Sequence, residues 1–139
     1  MKISARNQVK GTVVNVTEGA VNGVVTIKVG EQDIKASITM ESIRELGLEE
    51  GKEAFAIVKA THVMFAAERI AGISARNQLT GTVVKVTEGA VNGHVTIELP
   101  DGSRVFGSIT NDAIEDLGLA EGKQAVAVIK ATDVIVGVE

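Results

Sequence analysis

The hexapeptide ISARNQ occupies residues 3–8 and returns letter for letter at 73–78. Each copy sets a serine hydroxyl, an always-charged guanidinium and an amide within four positions, a dense cluster of hydrogen-bond donors. The rest of the chain adds little that could break bonds. There is no cysteine, hence no thiolate nucleophile, thiolate metal ligand or disulfide. His62 and His94 are the only histidines, and their counterparts in the other copy are Asp133 and Val24. Neither therefore belongs to a duplicated site, and both read as surface or interface residues. No Ser–His–acid set, carboxylate pair or Gly-rich phosphate loop appears in a suitable setting. The chemistry on offer is recognition, and an enzyme is not expected.

Composition narrows what is recognised. Among 139 residues the formal net charge is −4, so no global basic field draws nucleic acid. Trp and Tyr are absent and only Phe55, Phe65 and Phe106 are aromatic, which leaves almost nothing for bases to stack on. The start MKISARNQ lacks a charged-then-apolar signal region, and no apolar run approaches the roughly 18 residues of a membrane span. A cytoplasmic protein with no membrane or nucleic-acid partner is expected.

Stepping outward from ISARNQ, nearly the whole chain repeats. GTVVNVTEGAVNGVVTI at 11–27 matches GTVVKVTEGAVNGHVTI at 81–97, an offset of 70. One inserted residue makes the offset 71, so that SIT at 37–39 meets SIT at 108–110 and VKAT at 58–61 meets IKAT at 129–132. Two modules follow, 1–67 and 72–139, joined through AAERIAG, which is too short and too little flexible to let them drift apart.

Within a module the apolar period is mostly two. Val25, Ile27 and Val29 alternate with Thr26 and Lys28, and Ile34, Ala36 and Ile38 resume the face after a turn at Gly30. The second copy turns at Asp101-Gly102, a strong hairpin signal. TMESIREL at 39–46 and TNDAIEDL at 110–117 then read as a turn or two of helix, each opened by a threonine N-cap and stopped at Gly47 or Gly118. A final strand is expected at about 53–65 and 124–136. The fold class is mainly β: two tandem OB-type five-stranded barrels, each with one short helix. Modules of about 65 residues bury a marginal core. VMFAA and VIVGV, apolar at nearly every position, exceed what one small barrel can hide, so a homo-oligomer is expected.

ISARNQ…G, then SIT before a short helix, then KAT on the last strand resembles the molbindin (Mop) domain across the whole chain and in family order. The resemblance implies a tandem molbindin binding molybdate or tungstate, with no cofactor and no directly ligated metal, most simply as a trimer of two-module chains. It places the anion between modules. One side contributes Ser4, Ala5, Arg6 and Asn7 with Lys59 and Ala60, or Ser74, Ala75, Arg76 and Asn77 with Lys130 and Ala131. The other contributes the SIT segment and helix start: Ser37, Thr39 and Ser42, or Ser108 and Thr110.

Those side chains suit a tetrahedral dianion, which needs donors converging from several directions: guanidinium, hydroxyl, ammonium and helix-start N–H groups. Taken singly, Thr39 is an N-cap and Arg6 and Lys59 are solvated strand-end charges; their joint occurrence carries the functional reading. Ser42 faces Ala113 in the other copy, which predicts two unequal classes of site. TEGAVNG at 17–23 and 87–93 reads as a Gly/Asn turn, or as a nest of N–H groups for an anion on a symmetry axis. The expected function is oxyanion storage, buffering or homeostasis; the alternative is a molybdate-responsive regulatory module acting through a separate partner.

Overall fold

The computed structural model describes residues 1–139. The first half forms β1 (Asn7–Thr17), β2 (Asn22–Val29), β3 (Gln32–Thr39), α1 (Met40–Leu46), β4 (Glu53–Val58) and β5 (Met64–Ala66). The second forms β6 (Asn77–Glu88), β7 (Asn92–Glu98), β8 (Arg104–Thr110), α2 (Asn111–Leu117), β9 (Gln124–Ile129) and β10 (Ile135–Gly137). All strand pairs are antiparallel, in two five-stranded sheets ordered β10-β4-β1-β2-β3 and β5-β9-β6-β7-β8. This is the expected pair of OB-type barrels, each with one short helix. No helix is long and apolar enough to cross a membrane.

The local signals behave as their chemistry dictates. Val25, Ile27, Val29, Ile34 and Ala36 are buried, while Lys28 and Lys35 between them face solvent. The Thr39 hydroxyl accepts from the Ser42 N–H at 3.1 Å, and Thr110 does the same for Ala113 at 3.1 Å, each satisfying one orphan donor of its helix. Gly47 and Gly118 close the helices at φ 62° and 64°, a left-handed conformation that costs glycine nothing.

The expected single long final strand does not form. Each breaks at its KAT segment into a short 3-10 turn, Ala60–His62 or Ala131–Asp133. The residues beyond it then join the other half's sheet. Met64, Phe65 and Ala66 pair with Val128, Ala127 and Val126 of β9, while Ile135, Val136 and Gly137 pair with Ile57, Ala56 and Phe55 of β4. Each half thus completes its partner's fifth strand.

The exchange gives the apolar excess of VMFAA and VIVGV a destination inside the chain. Val63, Phe65, Val134 and Val136 enter one continuous core of 28 buried residues drawn from both halves. Burying four such side chains stabilises the pair of halves by about 1.5–3 kcal/mol apiece before entropy is counted. Only Met64 and Ile135 of these strands stay exposed. Phe65 fits because position 107 is glycine, where a Cβ would run into its ring. The equivalent positions in the other half hold the smaller Val136 and the methyl-bearing Ala36. The join is also tied down: Gln78 Nε2 donates to the Ile70 carbonyl at 2.7 Å, and Gln78 Oε1 accepts from the Ile70 N–H at 2.7 Å.

Candidate functional site

Strands β3 and β8 are sheet edges, with backbone groups that no further strand pairs. The ISARNQ segments supply the missing partners. Asn7 Nδ2 donates to the Phe106 carbonyl at 2.8 Å, and its Oδ1 accepts from the Phe106 N–H at 2.7 Å. Asn77 treats Lys35 of β3 identically, at 2.8 and 2.7 Å. Each amide imitates one rung of a strand, and both asparagines are 1% exposed. Their side chains are therefore committed to joining the halves, a task different from the ligand role that the sequence suggested. By locking residue 7 or 77 to the opposite edge, they fix where the preceding Ser-Ala-Arg lies.

That placement opens a cleft of about 390 Å³ on the first seam. Ser4, Ala5 and Arg6 form one wall, Lys59 and Ala60 continue it, and Ser108 enters from β8 of the other half. Ile3 and Ile135 add an apolar flank. The second seam carries a cleft of about 380 Å³ with Ser74, Ala75, Arg76, Lys130 and Ala131, flanked by Ile73 and Met64. Each 3-10 turn packs on the opposite edge strand, that of Lys130 on β3 and that of Lys59 on β8. Ser37, the counterpart of Ser108, is half-buried on β3 but does not line the second cleft. A separate void of about 10 Å³ in the core, lined by Asn7 and apolar side chains, is too small for any ligand beyond a single water.

Arg6, Lys59, Arg76 and Lys130 share one electrostatic property. The ion pairs of the chain are Met1 N-terminus–Glu139, Lys10–Glu53, His62–Asp133 and Arg104–Glu98, so none of the four cleft cations has a carboxylate partner. In a chain with more acids than bases, two basic groups per seam converge beside a serine and face no acid. Such a cleft attracts an anion and offers it charge-assisted hydrogen bonds.

The helix starts lie elsewhere. Thr39, Ser42 and Thr110 line none of these clefts. The Thr39 hydroxyl donates to Ser42 Oγ at 2.9 Å, so the Ser42 hydroxyl is engaged within the cap. What sequence reasoning missed is a second cleft of about 380 Å³ that also contains Arg6, walled by Lys85, Thr87, His94, Thr96 and Phe106. His94 lines both of the clefts that Arg6 lines. Its counterpart Val24 hid it, because a residue present in one copy alone carries no repeat signal. The displaced carboxyl Glu115 lies outside the clefts: the hydrogen bond its protonated form donates to Glu88, the charge of Glu88, desolvation and the charges of Asp112 and Asp116 all push its titration up.

Known proteins place this arrangement in context. The sequence pattern of the TOBE domain matches residues 3–65 and again 73–136. The molybdenum transport protein ModE of Azotobacter vinelandii is 44% identical over 139 residues, 99% of this chain and 52% of that protein. The molybdenum-pterin-binding protein MopA of Rhodobacter capsulatus is 42% identical over 137 residues, 97% of this chain and 52% of its own. The chain thus spans about half the length of both relatives. The crystal structure of the cytoplasmic molybdate-binding protein ModG with molybdate bound superposes with a TM-score of 0.94 at 48% identity, covering 100% of both chains.

Proposed function

The chain belongs to the TOBE-domain family and carries that domain twice, and from this premise we propose that it binds molybdate or tungstate in the seam clefts and serves as a cytoplasmic oxyanion store or buffer. The observation that carries the reading is the set of four unpaired cations, Arg6 with Lys59 and Arg76 with Lys130, each pair held beside a serine. A tetrahedral dianion answers that donor set without any proton having to move. Sulfate has the same charge and shape, so discrimination rests on cavity size. Ser4, Arg6, Lys59 and Ser108 are the proposed contacts in one seam, and Ser74, Arg76 and Lys130 in the other. Ala5, Ala60, Ala75 and Ala131 supply backbone there, and Asn7 and Asn77 hold the segments in place. Thr39 and Thr110 act as caps in this proposal, with Ser42 bonded to Thr39, and Ser37 lies outside the lining of the second cleft.

The exposed Ile3, Ile73, Met64 and Ile135 beside the clefts favour burial against further copies, consistent with a trimer of two-module chains. A regulatory role is the second reading, favoured by the match to half of a molybdenum transport protein.

Parallel calorimetric titrations with molybdate, tungstate, sulfate and phosphate test the proposal. Molybdate and tungstate should bind far more tightly than the other two, and Arg6→Ala or Arg76→Ala should each cost about 1.5–3 kcal/mol of binding while the fold survives. Equal affinity for sulfate overturns it.

A further inference from the structure

Two seams built on one pattern differ most in the residues that face Arg6. On the first, His94 of β7 stands between the two clefts that share Arg6. Lys85 of β6 lines one of them and Lys59 the other. On the second seam the positions of His94 and Lys85 are taken by Val24 and Asn15. Resting on the oxyanion reading above, we propose that His94 is a specificity-determining residue that makes anion binding at the Arg6 seam proton-linked, while binding at the Arg76 seam is independent of its equivalent, Val24.

Each element packed around His94 supports this role. From the N-terminal segment comes Arg6, from the KAT junction Lys59, from β6 Lys85 and Thr87, and from β8 Ser108 and Phe106. No carboxylate lines either cleft. Thr87 stands opposite His94 in the β6–β7 register, whereas Glu88 stands opposite Gly93 and so projects from the other face, where it meets Glu115. The imidazole shares these clefts with three cations and no acid. A dianion bound beside Arg6 brings negative charge to that side of the imidazole and favours the imidazolium. Linkage is reciprocal: if the anion draws a proton onto His94, then acidification tightens the anion. With one added charge a few ångströms from a dianion in a solvated cleft, the expected gain is about three- to tenfold in affinity. Histidine is the side chain whose ordinary range allows this between about pH 8 and pH 6.

The chain has one other histidine. His62 Nδ1 lies 3.9 Å from Asp133 Oδ1 across the two 3-10 turns and lines none of these clefts. It is the natural control.

The test is calorimetric titration of the full chain with molybdate, at about pH 8 and about pH 6, in buffers of different ionisation heat. The parent, His94→Val, Val24→His and His62→Gln are compared. Because valine already occupies the equivalent strand position, His94→Val should keep the fold, which circular dichroism verifies. The parent and His62→Gln should take up protons on binding, with one class of site tightening about three- to tenfold at the lower pH. His94→Val should lose both the uptake and the pH slope of that class, and Val24→His should add them to the other class. Molybdate binding with unchanged proton uptake in His94→Val overturns the role of His94 alone. No molybdate binding by the parent at either pH overturns the oxyanion reading as well.

Discussion

The seam at Arg6 and the seam at Arg76 begin with the same device and then part company. Both are clamped by an asparagine that replaces a strand rung, Asn7 on Phe106 and Asn77 on Lys35, with distances that agree to the last decimal. Both clefts also keep Ser-Ala-Arg and the Lys-Ala-Thr turn, but the packing beside the clamps differs. Phe65 fills the space above Gly107, whereas the other side has Val136 and Ala36. Gln32 makes a second two-bond clamp on Thr80, at 2.9 and 2.9 Å, while Ser103 in the equivalent position bonds Asp101 instead. His62 meets Asp133, its own counterpart, so the pair sits where the two halves' symmetry axis passes. In a dimer of identical modules that axis would bring like residues together. Covalent fusion frees the two sides to differ, and complementary pairs such as aromatic over glycine or histidine beside aspartate become available. The device that both seams retain is the one that defines where Ser-Ala-Arg sits.

The largest effect should come from removing that shared device. Asn7→Ala or Asn77→Ala would leave an N–H and a carbonyl of the opposite edge strand unpaired, at a cost of about 2–4 kcal/mol each. Urea unfolding should show similar losses for both variants, because the geometry is the same. A loss confined to one would show that the seams are unequal even at the clamp.

Next in size is the packing difference. Gly107→Ala sets a methyl against the Phe65 ring and should destabilise by about 1–3 kcal/mol. Adding Phe65→Val recreates the valine and alanine of the other seam, so the double variant should unfold later than additivity of the singles allows. Simple additivity in the urea midpoints would mean that the two positions do not compete for space.

The smallest effect lies at the helices. Glu88 and Glu115 face each other in the second half, where the first half has Glu18 and Arg44. Repulsion and the shared hydrogen bond raise the titration of Glu115 above its ordinary value in the folded state. A raised folded value means that the group's stabilising contribution is present below the unfolded carboxylate range and lost as pH rises through the folded value. Glu115→Gln should therefore raise the Tm slightly at neutral pH, and the advantage should vanish as the pH falls into the ordinary carboxylate range. A constant difference at every pH would place its origin outside this pair.

Much of this molecule is legible along the chain, because the rules involved act over a few residues. Alternating valines and isoleucines declare a half-buried strand, Thr39 and Gly47 bracket a helix, and Asp101-Gly102 marks a turn. The same short-range logic made Ser4, Arg6 and Lys59 visible as candidates, since their segments occur twice in the same order. What needed the folded chain was everything that joins distant residues. Asn7 and Phe106 are 99 positions apart and Asn77 and Lys35 are 42 apart, so no local preference announces either clamp. The exchange of β5 and β10 is equally silent, because an apolar segment reads alike whether it completes its own sheet or its neighbour's. His94 and Lys85 joined the cleft for a related reason: each lies on a strand whose local pattern explains it as surface, and only the packing of one half on the other brings Arg6 to face them.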